Sequence, residues 1–531
     1  MNVSLDPLET CQNGTQWALQ SPLSFLFAAA VIVVLTYTWI SSTNAIKGLP
    51  EINPTGFFSS VAAKKFFTAS GLSLITQARR LYPGQAFRVM TQMGERVILP
   101  YELIEEVRNQ RRLHFGSALV DDGTFMGIVP GFQPLSILNR DNIFQAVTIR
   151  HLTKVPAAMS RSLCDEADFI IPKVIGDSSD WHEMALSPAI HEITTKVATR
   201  VFLGKEFCRN DDWIRVTEGY THSWAMGSSE LHLWPRPLLM LVQYALPWCK
   251  SAIAQATEAR QMLAPVIAER QRMIQAAVAA GQEVPKFDDA IEWLGEEAAR
   301  RGLVCDAAMV GDFQLVLTMV AIHTTSDLLQ QFIVDLAQHP ETLQQIRHEV
   351  VKQLQAGGLT KESLHKMPLL DSAIKETQRL KPIQFLLLRR RAQEDIQFSN
   401  GLYLKKGTRT WIDTSRMRDP AAYENPEEWD ATRFLKLRSQ PGRTNEAYLV
   451  SPGPDHFGFG YGIHACPGRF FAAHELKVIV CHLLVKYEWK LAPETDVKPF
   501  YLGETSLANP GTKMLFKRRE EVEYDFSPMG M

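Results

Sequence analysis

None of the seven cysteines, at positions 11, 164, 208, 249, 305, 466 and 481, forms a Cys-x-x-Cys pair, and their spacing has no regularity. A zinc site and a disulfide framework are therefore both excluded as the organising principle. Net charge is also scarce, at a formal -2 for 531 residues, and charged residues make up only 21% of the chain. So small a charge argues against binding to phosphate backbones, and nucleic acid is not an expected partner. Internal repeats and low-complexity tracts are absent, and with 46% hydrophobic residues the composition is that of an ordinary globular protein able to bury a large core.

The first 22 residues contain no Lys or Arg, and the run Leu23 to Ile40 carries no charge at all. A run of that length and polarity predicts one transmembrane helix. More than twenty residues precede it, Asp6 and Glu9 among them, which favours a retained anchor over a cleaved signal peptide. Lys47, Lys64 and Lys65 follow the run, so the C-terminal side is expected to be cytoplasmic and residues 1–22 luminal. Asn2 and Asn13 head Asn-x-Ser/Thr tripeptides in that segment and are candidate N-glycosylation acceptors. Residues 41–60 read as a linker punctuated by Pro50 and Pro54, and residues 61–531 as the main domain.

That domain reads as mainly α with a minor β part. Alternation from Ala86 to Leu99 predicts a hairpin turning near Gly94, and helical patterns run from about Arg140 to Pro382, with a proline-free stretch from Phe287 to Gln338. Short strands are expected from Arg391 to Trp411, then a helix from Cys466 to Lys486 and a β-like tail.

The densest chemical signal is Phe459-Gly-Tyr-Gly462-Ile-His464-Ala-Cys466-Pro-Gly468. Its glycines let a backbone approach a flat ligand closely. Cys466 stands where the loop becomes a helix, so N–H groups and the helix dipole favour its thiolate, with Pro467 suited to the first turn. This segment resembles the heme-binding loop of the cytochrome P-450 superfamily, Phe-x-x-Gly-x-(Arg/His)-x-Cys-x-Gly, at all five of its fixed positions. The resemblance implies a cytochrome P-450 fold and heme b, with Cys466 as axial iron ligand. It also implies that Phe459 packs beside the sulfur, that Gly462 shapes the loop, that His464 bonds a propionate and that Gly468 admits close approach of a helix.

Three further segments recur in the order the family shows. Glu376 and Arg379, three residues apart on one helix face, resemble its Glu-x-x-Arg helix, and Arg433 in Trp429-Asp-Ala-Thr-Arg-Phe resembles the third member of a structural triad. Ala431 and Thr432 depart from the usual Pro-Glu before that Arg. Met319-Val-Ala-Ile-His-Thr-Thr-Ser326 resembles the oxygen-activation helix, with His323 in the usual acidic position and Thr324 as the key hydroxyl; a register one residue later would choose Thr325. Arg390, five residues before Asp395, aligns with the family's propionate-binding Arg, and Arg150 is a second candidate that lacks the Trp usually four residues earlier.

The implied reaction inserts one oxygen atom from O2 into an apolar small molecule, with electrons from NADPH through a separate flavoprotein reductase and cytochrome b5 as a further donor. Endoplasmic reticulum membrane is the expected location. In detail the chain resembles membrane-bound filamentous-fungal members of secondary metabolism, ent-kaurene oxidase-like enzymes among them, which points to a terpenoid or another such metabolite. A redox-independent heme-thiolate isomerase or dehydratase, a sterol demethylase, and a heme-binding protein without turnover remain open alternatives.

Overall fold

A computed structural model describes residues 48–53, 60–121, 129–138, 142–234 and 238–526. The expected anchor, Asn2 and Asn13 lie outside them. Among the described residues ten helices have eleven or more residues: α1 (Val61–Leu81), α2 (Ala157–Ile175), α3 (Leu186–Cys208), α4 (Asp211–Leu231), α5 (Pro247–Ala279), α6 (Ala290–Arg300), α7 (Ala307–Gln338), α8 (Pro340–Gly357), α9 (Pro368–Leu380) and α10 (Arg469–Lys486). The architecture is mainly helical with a minor sheet.

α7 runs through the centre. The Asp306 side chain caps it by accepting from Met309 N, and it ends before Pro340, which opens α8. It is long and apolar enough to cross a membrane, yet most of it is packed inside the protein, against α3, α5 and α9 among others. Almost every position from Met309 to Leu336 is shielded; Val320 and Thr324, one turn apart, are the exposed pair. Gly302, at φ 66°, separates α6 from α7, so the proline-free stretch is two helices.

The main sheet has five strands in the order Phe87–Thr91, Gly94–Leu99, Arg409–Asp413, Leu386–Ala392, Leu113–His114. Its hairpin matches the expected one, with Gly94 at φ 101° opening the second strand. The strand expected from Arg391 begins instead at Leu386, because its apolar start pairs with Ile412 and Asp413. Between Leu387 and Arg390 the pairing register shifts, and Leu388 takes a left-handed φ of 51° while buried. Past this bulge Arg390 turns inward and Arg389 and Arg391 lie on the more open face.

Helix α10 starts at Arg469 with Gly468 as its N-cap, so Pro467 precedes the helix and does not sit in its first turn. The strand His182–Ala185, inside the stretch read as helical, pairs only with the distant Lys513–Arg518, which is why no local pattern announces it.

Burial pushes the Asp327 carboxyl on α7 up to about 6, although Ala508 N and Gln331 Nε2 both donate to it. An acid whose folded pKa exceeds its unfolded value keeps its proton longer in the folded chain, so its contribution to stability falls as pH rises between about 4 and 6. Asp327→Asn is therefore expected to be more stable than the wild type by about 2 kcal/mol at neutral pH and to lose that advantage towards about pH 4, as read by thermal denaturation across pH.

Candidate active site

The loop before α10 is drawn tight by its own backbone. Gly460 N donates to Phe457 O at 2.8 Å, Ala465 N to Gly462 O at 3.0 Å and Cys466 N to Phe459 O at 2.8 Å. Gly460 and Gly462 take φ of 71° and 76°. At Gly462 a Cβ would fall 2.1 Å from Arg108 O, so only glycine lets these two backbones touch. At Gly468 an added Cβ would meet the Thr148 methyl at 3.8 Å, ordinary contact, so no close approach of protein segments demands glycine there. Phe459 is partly buried and packs against the main core.

Burial raises the Cys466 thiol above its usual range, opposed by backbone N–H groups of Gly468 and Arg469 and by the Arg469 charge. Arg469 is itself anchored, donating to Cys466 O at 2.8 Å and Val450 O at 3.0 Å. The net direction is upward, so these donors prepare a thiolate that a metal charge at the sulfur would complete.

Close to this loop the structure gathers Arg390, His464 and His114. Arg390 is 2% exposed; one nitrogen donates to Arg389 O at 2.8 Å, while its buried Nε and Nη2 have no hydrogen-bond partner among the described residues. Desolvation alone lowers it to about 10. The His464 ring stands edge-on to His114 at 5.5 Å, its Nε2 is buried and likewise unpartnered, and burial followed by the Arg390 charge brings it down to about 4. His114 is lowered by burial and by Arg390 too, and its Nδ1 lies 3.1 Å from Ser117 N. A buried guanidinium with no counter-charge is costly, and an anionic ligand with carboxylate groups would satisfy these donors. His114 escaped sequence analysis because only the pairing of Leu113–His114 with Arg391 and Ala392 brings it here. Arg150, half exposed, sits 3.3 Å from Glu297, a carboxylate that Arg300 and Arg301 also engage.

Glu376 and Arg379 on α9 are fully buried. Arg379 bonds both carboxylate oxygens at 2.8 Å, and Arg433 Nε donates to Oε1 at 2.9 Å. The spare guanidinium protons go to backbone carbonyls: Arg379 to Met417 and Pro426, Arg433 to Glu424, Asn425 and Glu428. Lys375, unremarked in the sequence, donates to the carbonyls of Glu446, Tyr448 and Ser451, and burial lowers it to about 7. These bonds tie α9 to the chain that leads into the cysteine loop.

On α7, Thr324 is exposed and its hydroxyl donates to Val320 O at 3.0 Å, whereas Thr325 is 3% exposed. His323 is partly buried and held neutral, lowered to about 4 by burial and by His191.

The family model described as cytochrome P450 matches residues 73–517. The chain belongs to this family. Among proteins similar to this P450 are the cytochrome P450 monooxygenase hepE of Aspergillus oryzae, 36% identical over 515 residues and covering 95% of this chain and 93% of its own. The cytochrome P450 monooxygenase eqxH of Fusarium heterosporum is 35% identical over 514 residues, covering 96% and 98%. The cytochrome P450 monooxygenase TRI1 of Fusarium sporotrichioides is 35% identical over 475 residues, covering 88% and 85%. The fold is similar to that of retinoic acid-bound cyanobacterial CYP120A1, with a TM-score of 0.63 at 18% identity, covering 89% of this chain and 99% of that one.

This P450 is thus a monooxygenase, and its family and fold imply a heme held by a cysteine thiolate, a redox-partner reductase and a small-molecule substrate. The residues present fit the group: a thiol with converging N–H donors, and a buried guanidinium and imidazole with unpartnered nitrogens.

Glu376→Gln is expected to leave the buried Arg379 and the partly buried Arg433 without their shared carboxylate and to cost about 3–5 kcal/mol, seen as a lowered thermal midpoint and a smaller heme-loaded fraction.

Proposed function

We propose that Cys466 supplies the thiolate that would hold the heme iron and that the enzyme inserts one oxygen atom into an apolar small molecule by hydroxylation, epoxidation or a multistep oxidation. The observation that carries this reading is the pair of unpartnered buried donors, on Arg390 and His464, beside the loop that presents the cysteine. In this reading Arg390 and His464, with His114 behind them, hold the propionates, while Phe459, Gly462 and Gly468 shape the thiolate loop. Arg150 is a further propionate candidate in this reading, with its Nη2 3.3 Å from Glu297. When bound, the thiolate-ligated heme supplies two-electron activation of dioxygen, the thiolate favouring O–O cleavage.

The remaining chemistry belongs to the chain. Thr324, exposed one turn from Val320 in an otherwise shielded helix, is the hydroxyl that donates a proton at the oxygen-binding face, and buried Thr325 supports the helix. Glu376, Arg379 and Arg433 hold the scaffold without touching substrate.

A terpenoid or another fungal secondary metabolite is the proposed substrate, supported by the filamentous-fungal sources of the similar monooxygenases. We place residues 23–40 as a single-pass anchor in the endoplasmic reticulum membrane, residues 1–22 in the lumen with Asn2 and Asn13 as glycosylation acceptors, residues 41–60 as linker and residues 61–531 as the cytoplasmic catalytic domain. An NADPH-dependent flavoprotein reductase in the same membrane, with cytochrome b5 as a second donor, supplies electrons.

Microsomes containing the protein are expected to give the red-shifted Soret band of a thiolate-ligated ferrous-CO complex, and Cys466→Ala to abolish it; a band unchanged in that variant overturns the assignment. Thr324→Ala is expected to keep the band but divert electrons from product to hydrogen peroxide, lowering product formed per NADPH by about tenfold or more, while Thr325→Ala leaves that ratio near wild type.

A further inference from the structure

His323 occupies the helical turn beside Thr324, where a proton donor is needed, yet its ring is held neutral and has no carboxylate of its own helix in reach. The other titratable residues of α7 are all engaged elsewhere. Asp312 is bonded by Arg260, Asp327 by Ala508 N and Gln331, and Asp335 by Lys381 and Thr377.

What does face His323 comes from two other helices. The His191 ring, on α3, lies 4.8 Å from the His323 ring between centroids, tilted by 31°. His191 Nε2 stands 3.2 Å from Glu218 Oε1 on α4, and Thr195 Oγ1 donates to the same oxygen at 3.4 Å. Exposure grows along the series, the His191 side chain being 23% exposed and Glu218 37%. Burial would raise the Glu218 carboxyl, but the hydrogen bond to His191, helped by the Thr195 hydroxyl, outweighs it and keeps Glu218 below the usual range, hence ionised. A polar chain leading from solvent to a largely buried helix has a desolvation cost that three aliphatic side chains would avoid.

We propose that Glu218 and His191 form a proton relay that recharges His323 and, through it, Thr324. This rests on the monooxygenase reading and on Thr324 as the oxygen-facing hydroxyl. His191 keeps its Nε2 proton and hydrogen-bonds it to the Glu218 carboxylate while its Nδ1 takes a solvent proton; Glu218 stays ionised and stabilises the imidazolium until the Nδ1 proton is passed on. That proton passes across the gap to His323, by one bridging water or a small ring rotation, and from His323 to the Thr324 oxygen as the hydroxyl releases its own proton to dioxygen. Each group then returns to its starting state. Two such passages supply the two protons consumed when one oxygen atom enters the substrate and the other leaves as water, the two electrons coming from the reductase. His191 and Glu218 are positioning and relay residues, since neither touches substrate.

The test compares Glu218→Gln, Glu218→Asp, His191→Gln, His323→Gln and the Glu218→Gln/His323→Gln double variant in the full-length, heme-loaded protein with its reductase. The ferrous-CO Soret band should survive in all five. Product formed per NADPH should fall about tenfold in Glu218→Gln and in His191→Gln, recover in Glu218→Asp, and be no lower in the double variant than in His323→Gln, as required for groups acting in series. Away from turnover, the C–O stretching frequency of the CO complex should shift with pH in the wild type and lose that shift in His191→Gln and His323→Gln. Normal coupling in Glu218→Gln, multiplicative losses in the double variant, or a pH response unchanged by both histidine substitutions overturns the relay. Loss of the Soret band in Glu218→Gln also overturns it, by assigning that residue a structural role. The monooxygenase reading fails separately, by the Cys466→Ala spectrum, and the oxygen-facing role of Thr324 by an unchanged coupling ratio in Thr324→Ala.

Discussion

The buried carboxylate of Glu376 is the one anion shared by two guanidinium groups, Arg379 from its own helix and Arg433 from a segment more than fifty residues later. Two cations on one anion would be a losing arrangement in a dry interior if the remaining N–H groups were idle. They are not idle, because they reach the carbonyls of Met417, Glu424, Asn425, Pro426 and Glu428, which have no strand or long helix to satisfy them. The charge cluster therefore takes the place of regular secondary structure in a stretch of chain that has almost none. Lys375, one residue away, does the same for Glu446, Tyr448 and Ser451, so a single helix organises the whole approach to Cys466.

At the other end of that approach the balance is reversed. Arg390 is buried with only a carbonyl for company, and the neutral rings of His464 and His114 crowd against its charge. The protein alone is over-supplied with cation here, which couples loading of an anionic prosthetic group to stability: whatever neutralises Arg390 stabilises the folded chain by mass action. The α9 network and the Arg390 cluster thus divide the work. One is complete within the polypeptide, and the other keeps buried donors on Arg390 and His464 without a partner among the described residues.

Much of this was legible in the sequence where the signal is local. The cysteine loop, the Glu-x-x-Arg spacing and the polar patch on α7 are each read within about ten residues, and each falls at the element its pattern suggests. Local reading also gave the hairpin at Gly94 and the inward turn of Arg390 between two outward neighbours. What could not be read depends on distant pairing. His114 becomes relevant only through its strand contact with Arg391, and the His191–Glu218 pair meets His323 only once α3, α4 and α7 pack together. The contact of Arg150 with Glu297 is likewise one that the local sequence does not reveal. Pro467 sits ahead of α10 because the glycine after it, not the proline, makes the cap.

The bulge at Leu388 lies between two fixed points, the end of α9 and the inward Arg390. An extra residue accommodated there works as a slack link in a chain pinned at both ends. Leu386 and Leu388 are packed in the core and stay fixed, while the bulge takes up a change in the length of chain between α9 and the strand and leaves Arg390 in place. A residue gained or lost in the link after α9 would then be absorbed before it reached Arg390, so the length of that link and the position of the guanidinium are mechanically uncoupled.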